Sequence, residues 1–270
     1  MKQSIIHLAN IEKSYGKHQV LKNVNLDVKK GDIFGLVGKN GAGKTTIFKV
    51  LLGLSTYQKG SMHIGDEGDS LDEGRKKIGF LIGSNFFPYM NARQNLEYFR
   101  IMKGIKDKKE IDRVLKIVEL EKAKGPYKNY SLGMKQRLGI ANAIMGSPEI
   151  LILDEPTNGL DPQGIADIRT LVQKLNEEYG MTIIISSHIL GELQHTAHTF
   201  GMLKDGQMLK TITSDDLISD HKSVRLQVDD VAKAKAILAQ AGVQILGEQM
   251  ETMSLEDYYF GLLNAKSEEE

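Results

Sequence analysis

The chain has 270 residues, 41% apolar and 26% charged, enough for one large domain, or a domain with an appendage, around a sizeable core. Lys+Arg and Asp+Glu both number 35 and cysteine is absent, so no global field draws nucleic acid, and disulfides, cysteine zinc sites and thiol nucleophiles are excluded. The N-terminus lacks a long apolar segment and a small-residue cleavage site, and the longest uncharged stretch, Ile78 to Ala92, contains Gly, Asn, Ser and Pro, so neither a signal peptide nor a membrane span is expected.

Ile5–Ile11 and Val20–Val28 alternate apolar and polar residues and predict strands of an antiparallel region. Ile33–Val37 is an apolar run suited to a buried parallel strand. Directly after it, Gly38-Lys39-Asn40-Gly41-Ala42-Gly43-Lys44-Thr45 fits G-x-x-x-x-G-K-[ST], and Thr46 to Leu52 predicts a helix. Strand, glycine-rich loop and helix N-terminus together are what a triphosphate needs. The glycines let backbone N–H groups approach phosphates, and the helix end adds partial positive charge. Lys44 can reach the β- and γ-phosphates, and the Thr45 hydroxyl can hold Mg²⁺. Gly38, Asn40, Gly41, Ala42, Gly43, Lys44, Thr45 and Thr46 are therefore the expected nucleotide contacts.

Gly60 to Gly74 is rich in Gly, Asp and Ser and predicts a hairpin and loop, followed by a short strand at Ile78–Ile82. Asn91–Met102, Glu110–Leu120 and Ser131–Met145 predict helices, with a basic turn at Lys103–Lys109. Ile150–Leu153 predicts a buried strand, Gln163–Tyr179 a helix and Met181–Ile185 another buried strand, so strands alternate with helices in a doubly wound α/β core. The first of these strands ends in Asp154-Glu155. Acids at the carboxyl edge of an open sheet stand where ligands bind; Asp154 suits the Mg²⁺ shell and Glu155 the polarising of an attacking water. After about Gly206 the pattern changes. Val224–Val228 and Val243–Leu246 predict strands, Val231–Ala241 and Leu255–Leu263 helices, and 267–270 a tail.

Several short motifs, in order, resemble the ATP-binding cassette (ABC) ATPases. Tyr130-Ser131-Leu132-Gly133-Met134-Lys135-Gln136-Arg137 resembles the family signature L-S-G-G-Q. Asn158-Gly159-Leu160-Asp161-Pro162 resembles the D-loop, Ser187-His188 the switch histidine, and Tyr15 occupies the place of an adenine-stacking aromatic. The resemblance covers about residues 4–212. It implies an ABC-type P-loop fold, with a mixed sheet, an antiparallel β region and a helical signature subdomain over 1–212, plus a small C-terminal α/β appendage over 213–270.

The resemblance also implies a mechanism and partners. ATP and Mg²⁺ are the expected cofactors, with Lys44, Glu155 and His188 catalytic and Thr45 and Asp154 at the metal. Ser131 and Gly133 would touch the γ-phosphate of ATP held by a second cassette. One set of half-sites per chain then calls for a homodimer with two-fold symmetry. A separate transmembrane permease would place the chain in the cytoplasm, on the inner face of the membrane. The signature helix and the Ser254-Leu255-Glu256-Asp257-Tyr258-Tyr259 region look like bacterial drug and peptide-antibiotic exporters, bacitracin and lantibiotic systems included. The alternative is a soluble ABC ATPase acting on ribosomes or nucleic acid. Such members carry paired cassettes or long coiled coils, which this chain lacks, and no nucleic-acid partner is expected. Leu132 and Met134 depart from the signature, and Lys39 replaces a frequent Pro. Gly83 stands where the family places a Gln that contacts Mg²⁺, so Ser84 or a water takes that contact over, or the coupling is weaker. A degenerate regulatory cassette rests on Gly83 alone, against intact Lys44, Asp154, Glu155 and His188.

Overall fold

The computed structural model describes residues 3–83, 86–219 and 230–243. Two compact units, Met1–Ser219 and Asp220–Glu270, divide the chain. The first unit runs β1 (Ser4–Tyr15), β2 (His18–Lys29), β3 (Ile33–Val37), α1 (Lys44–Leu51), β4 (Lys59–Ile64), α2 (Leu71–Lys76) and β5 (Ile78–Leu81). It continues with α3 (Ala92–Met102), α4 (Lys109–Ile117), α5 (Leu132–Ala143), β6 (Ile150–Asp154), α6 (Pro162–Glu177) and β7 (Thr182–Ser187). It closes with α7 (Leu190–Gln194), β8 (Thr199–Lys204), β9 (Gln207–Thr213) and α8 (Ser214–Ser219).

Two sheets form. β2, β1 and β4 make an antiparallel sheet in that order, and the main sheet has the order β5-β6-β7-β3-β8-β9. Its strands from β5 to β8 are parallel, and β9 pairs antiparallel with β8. The central strands bury both faces, which is why they read as continuous apolar runs rather than alternating ones. Along β6, Leu151 and Leu153 enter one core with Leu138, Ile140 and Val172 of the helices. Ile150 and Ile152 enter the opposite core with Phe34, Phe48 and the antiparallel sheet's Ile6 and Leu8. The strand ends are fixed by this double packing, and every residue at the carboxyl edge inherits its position from it. A charge cluster adds to it at the sheet edge. Lys77 Nζ lies 2.9 Å from Asp66 and 2.7 Å from Asp69, and Lys30 Nζ 2.9 Å from Asp66; the Lys30 and Lys77 ammonium groups hold the Asp66 carboxyl down at about 2.

The observed elements depart from the expected ones in two places. Gly60–Gly74 is not a hairpin and loop: β4 joins the antiparallel sheet along β1, and α2 follows. Ser70 and Glu73 close a capping box at the start of α2, so the Ser-x-x-Glu signal was present but surrounded by Gly and Asp. The β8–β9 pair was not foreseen either. Its second strand ends at Thr213, across the expected boundary at 212. In the second unit, α9 (Val231–Gln240) is capped by Asp230, whose carboxylate accepts from the Lys233 N–H at 3.0 Å. The expected strand at Val224–Val228, the strand beyond Val243, the helix at Leu255–Leu263 and the tail at 267–270 lie outside the described residues. No helix among the described residues is long and apolar enough to cross a membrane.

Candidate functional site

The phosphate loop joins β3 to α1 at the carboxyl edge of the main sheet. Its last bend needs glycine: Gly43 has φ 112°, and a Cβ there would stand 2.9 Å from Leu21 Cδ2. The first bond along α1 runs from Ile47 N to Gly43 O at 3.0 Å, so the preceding N–H groups of the helix end are left for a ligand. No acidic side chain occupies the first turn. An open cleft of ≈ 540 Å³ lies over this end, lined by Val20, Lys39, Asn40, Gly41, Gly43, Lys44, Thr45, Thr46 and Glu155. Gly38 and Ala42 lie behind that lining. Gly38 contributes a carbonyl that accepts from Lys44 Nζ, and Ala42 is buried.

Four other functional side chains converge on Lys44. Its ammonium, almost wholly buried, lies 3.1 Å from Glu155 Oε1 and 3.3 Å from the Lys39 carbonyl. The other oxygen, Glu155 Oε2, accepts from His188 Nδ1 at 2.9 Å. The Thr45 hydroxyl donates to Asp154 Oδ2 at 2.7 Å. Asp154 ends β6 and His188 follows β7, its neighbour in the sheet, which is what brings residues so distant in sequence to one edge. Glu155 adopts φ 49°, a left-handed conformation costing about 1–2 kcal/mol for an L residue. The bend takes its side chain off the line of the strand.

The remaining expected residues stand elsewhere. Ser131 caps α5, its Oγ accepting from Met134 N at 3.2 Å, and Gly133 lies in the first turn of that helix; neither lines the cleft. Tyr15 also lies outside the lining. Its ring is half exposed, with the hydroxyl 3.2 Å from Ser55 Oγ and Lys13 Nζ 4.7 Å from the ring centroid. Gly83 is at φ 65°, and the neighbouring Ser84 is outside the described residues.

Sequence reasoning missed two connections. Ser186 bonds to both Asp154 and Glu155. Its signal was a polar residue ending an otherwise apolar strand. Glu192 Oε2 accepts from Thr157 Oγ1 at 2.8 Å and Ser187 Oγ at 3.0 Å, tying the segment after Glu155 to the residue before His188.

The family model for ABC transporters matches residues 21–158. The bacitracin transport ATP-binding protein BcrA of Bacillus licheniformis is 41% identical, over 88% of this chain and 79% of that protein. The lantibiotic transport ATP-binding protein SrtF of Streptococcus pyogenes is 42% identical, over 76% of this chain and 89% of its own length. Among solved structures, the dimeric post-hydrolysis state of the ATP-binding cassette MJ0796 bound to ADP and Pi is similar, with TM-score 0.67 and 30% identity, over 77% of this chain and 98% of that one. An apolar parallel sheet with the phosphate loop, paired acids and strand-end histidine at one edge is the arrangement these comparisons share, and the chain belongs to the ABC transporter family, among its ATPase cassettes.

Proposed function

We propose that this chain is the ATP-hydrolysing subunit of an exporter of peptide antibiotics or drugs, working with a separate membrane permease and a second cassette. The observation that carries the chemistry is the placement of Glu155, whose two carboxylate oxygens meet Lys44 and His188 at 3.1 and 2.9 Å. The loop N–H groups and Lys44 bind the phosphates. Glu155 orients water and accepts its proton as oxygen bonds to the γ-phosphorus and the bond to the β-phosphate oxygen breaks, releasing ADP and phosphate. His188 holds the carboxylate in place and has a second nitrogen to offer the γ-phosphate. Tyr15 offers a π-face to adenine. Ser131 and Gly133 serve the nucleotide of the opposite cassette.

The residues at Thr45 and Asp154 fit Mg²⁺. Both present hard oxygen donors, 2.7 Å apart, beside the lysine that faces the phosphates. Bound there, Mg²⁺ supplies charge neutralisation at the β- and γ-phosphate oxygens. On this reading the cassette ends with α8, and the second unit is an accessory region.

The names of BcrA and SrtF favour antibiotic transport over action on a ribosome or nucleic acid. The test is a susceptible strain carrying this chain with the permease encoded beside it. The minimum inhibitory concentration of bacitracin or a lantibiotic should rise severalfold, and Lys44→Ala should remove the gain. Co-purification of the chain with ribosomes, and no change in resistance to either peptide, would refute the export reading.

Gly83 makes a separate prediction. A Cβ there meets nothing within 4 Å, so a Gln side chain has room, at a backbone cost of about 1–2 kcal/mol for the left-handed φ. A Gln contact made when the γ-phosphate reacts acts on kcat rather than KM. Gly83→Gln should therefore change the kcat of the isolated chain by about twofold or more with little change in KM for ATP. Unchanged values of both constants would show that the missing glutamine has no catalytic consequence.

A further inference from the structure

Ser186 is completely buried at the carboxyl end of β7, after the apolar run Ile183–Ile185. The parallel register pairs it with Asp154 of β6. Its Oγ lies 2.7 Å from Asp154 Oδ1 and 2.9 Å from the Glu155 backbone nitrogen. A peptide N–H can only donate, so the hydroxyl accepts from Glu155 and its own proton goes to the Asp154 carboxylate. Both of its bonding capacities are thus directed at the two acids of the site. The Asp154 oxygens are shared between two hydroxyls, Ser186 at Oδ1 and Thr45 at Oδ2. The Glu155 N–H that Ser186 holds belongs to the residue at φ 49°, so the bond fixes the bend that brings the Glu155 carboxylate to Lys44 and His188.

We propose that Ser186 is a positioning residue for hydrolysis: one buried hydroxyl sets the Asp154 carboxylate towards Thr45 and pins the backbone bend that aims Glu155. The inference rests on the reading of Glu155 as the group that activates water. Ser186 touches neither nucleotide nor water on this account; it acts through the two acids. Its loss leaves the Glu155 N–H without a partner and frees the backbone to relax towards an extended conformation, carrying the carboxylate away from Lys44.

Thr and Val have nearly the same shape and differ in the hydroxyl, so Ser186→Thr and Ser186→Val separate the hydrogen bonds from the volume of the site. The Val variant should lose about tenfold in kcat, with ATP affinity, read by a fluorescent ATP analogue, within about threefold of wild type. The Thr variant should keep kcat within about threefold of wild type. In the Glu155→Gln background, Ser186→Val should cause no further loss, because its effect passes through the side chain already disabled. Should Val fail to fold, Ser186→Ala against Ser186→Thr reads the same difference, and the thermal midpoint of each variant separates stability from rate. A Val or Ala variant that folds and turns over as fast as the Thr variant overturns the proposal. Wild-type turnover in Glu155→Gln overturns instead the reading on which the proposal rests, so the two failures are distinguishable.

Discussion

Glu155→Gln removes nearly all ATP turnover and leaves nucleotide binding intact. The substitution is isosteric, so the packing around β6 is kept and only the charge and the proton-accepting capacity change. Positioned acid–base groups contribute about 10²–10⁴-fold, and a loss of that order in phosphate release is the expected size. The geometry also predicts the direction of the binding effect. In the wild-type chain Lys44 Nζ is engaged by Glu155 Oε1 at 3.1 Å while His188 Nδ1 donates to Oε2 at 2.9 Å. A Gln can present its single oxygen to His188, but its NH₂ then faces the Lys44 ammonium, and two donors cannot pair. Lys44 is released to the phosphates, so ATP affinity should stay level or rise. Turnover and affinity measured on one preparation check both halves. Wild-type turnover in this variant would remove Glu155 from the reaction.

The parts of this site that sequence makes legible are those whose position is dictated by local pattern plus double burial. Ile33–Val37, Ile150–Leu153 and Thr182–Ile185 are apolar on both faces, so they can only be central strands, and whatever follows each one emerges at the same edge. That places the phosphate loop, Asp154-Glu155 and His188 together before any coordinates are known. The edge strands are different. Of the residues of β9 only Ile212 is buried, and β4 buries only Ile64, so neither strand carries a period strong enough to read. Their existence is set by the partners β8 and β1, a tertiary fact. Ser186 was hidden for a related reason. A serine next to Ser187-His188 looks like loop chemistry until the register of β6 against β7 sets it beside Asp154. The contact between Tyr15 and Ser55 also spans a distance in sequence, 40 residues, that no local pattern encodes.

The second large effect concerns assembly. Ser131 and the adjoining Leu132 are exposed at the start of α5, and the Ser131 Oγ caps the helix. Gly133 follows without a packing reason inside the chain: a Cβ there would meet nothing closer than 4.0 Å. An exposed, capped helix end with no acidic residue in its first turn and a glycine that its own chain does not require is suited to the close approach of an anion from outside. On the proposed reading that anion is the γ-phosphate held by the other cassette. Glu155→Gln with ATP should then elute as a dimer in size-exclusion chromatography and as a monomer without nucleotide. Adding Ser131→Arg should abolish the ATP-dependent dimer by setting a long side chain in the gap where the second nucleotide must enter. In the otherwise wild-type chain Ser131→Arg should lower turnover about as far as Glu155→Gln does. Loss of the cap alone costs about 1 kcal/mol, so Ser131→Ala, which loses the cap without adding bulk, is the control. The Ala variant should still dimerise with ATP, because the helix N–H groups and Gly133 remain available. Dimers that form equally well with Arg at 131, or a monomer under every condition, would mean that this helix end does not meet a second cassette's nucleotide.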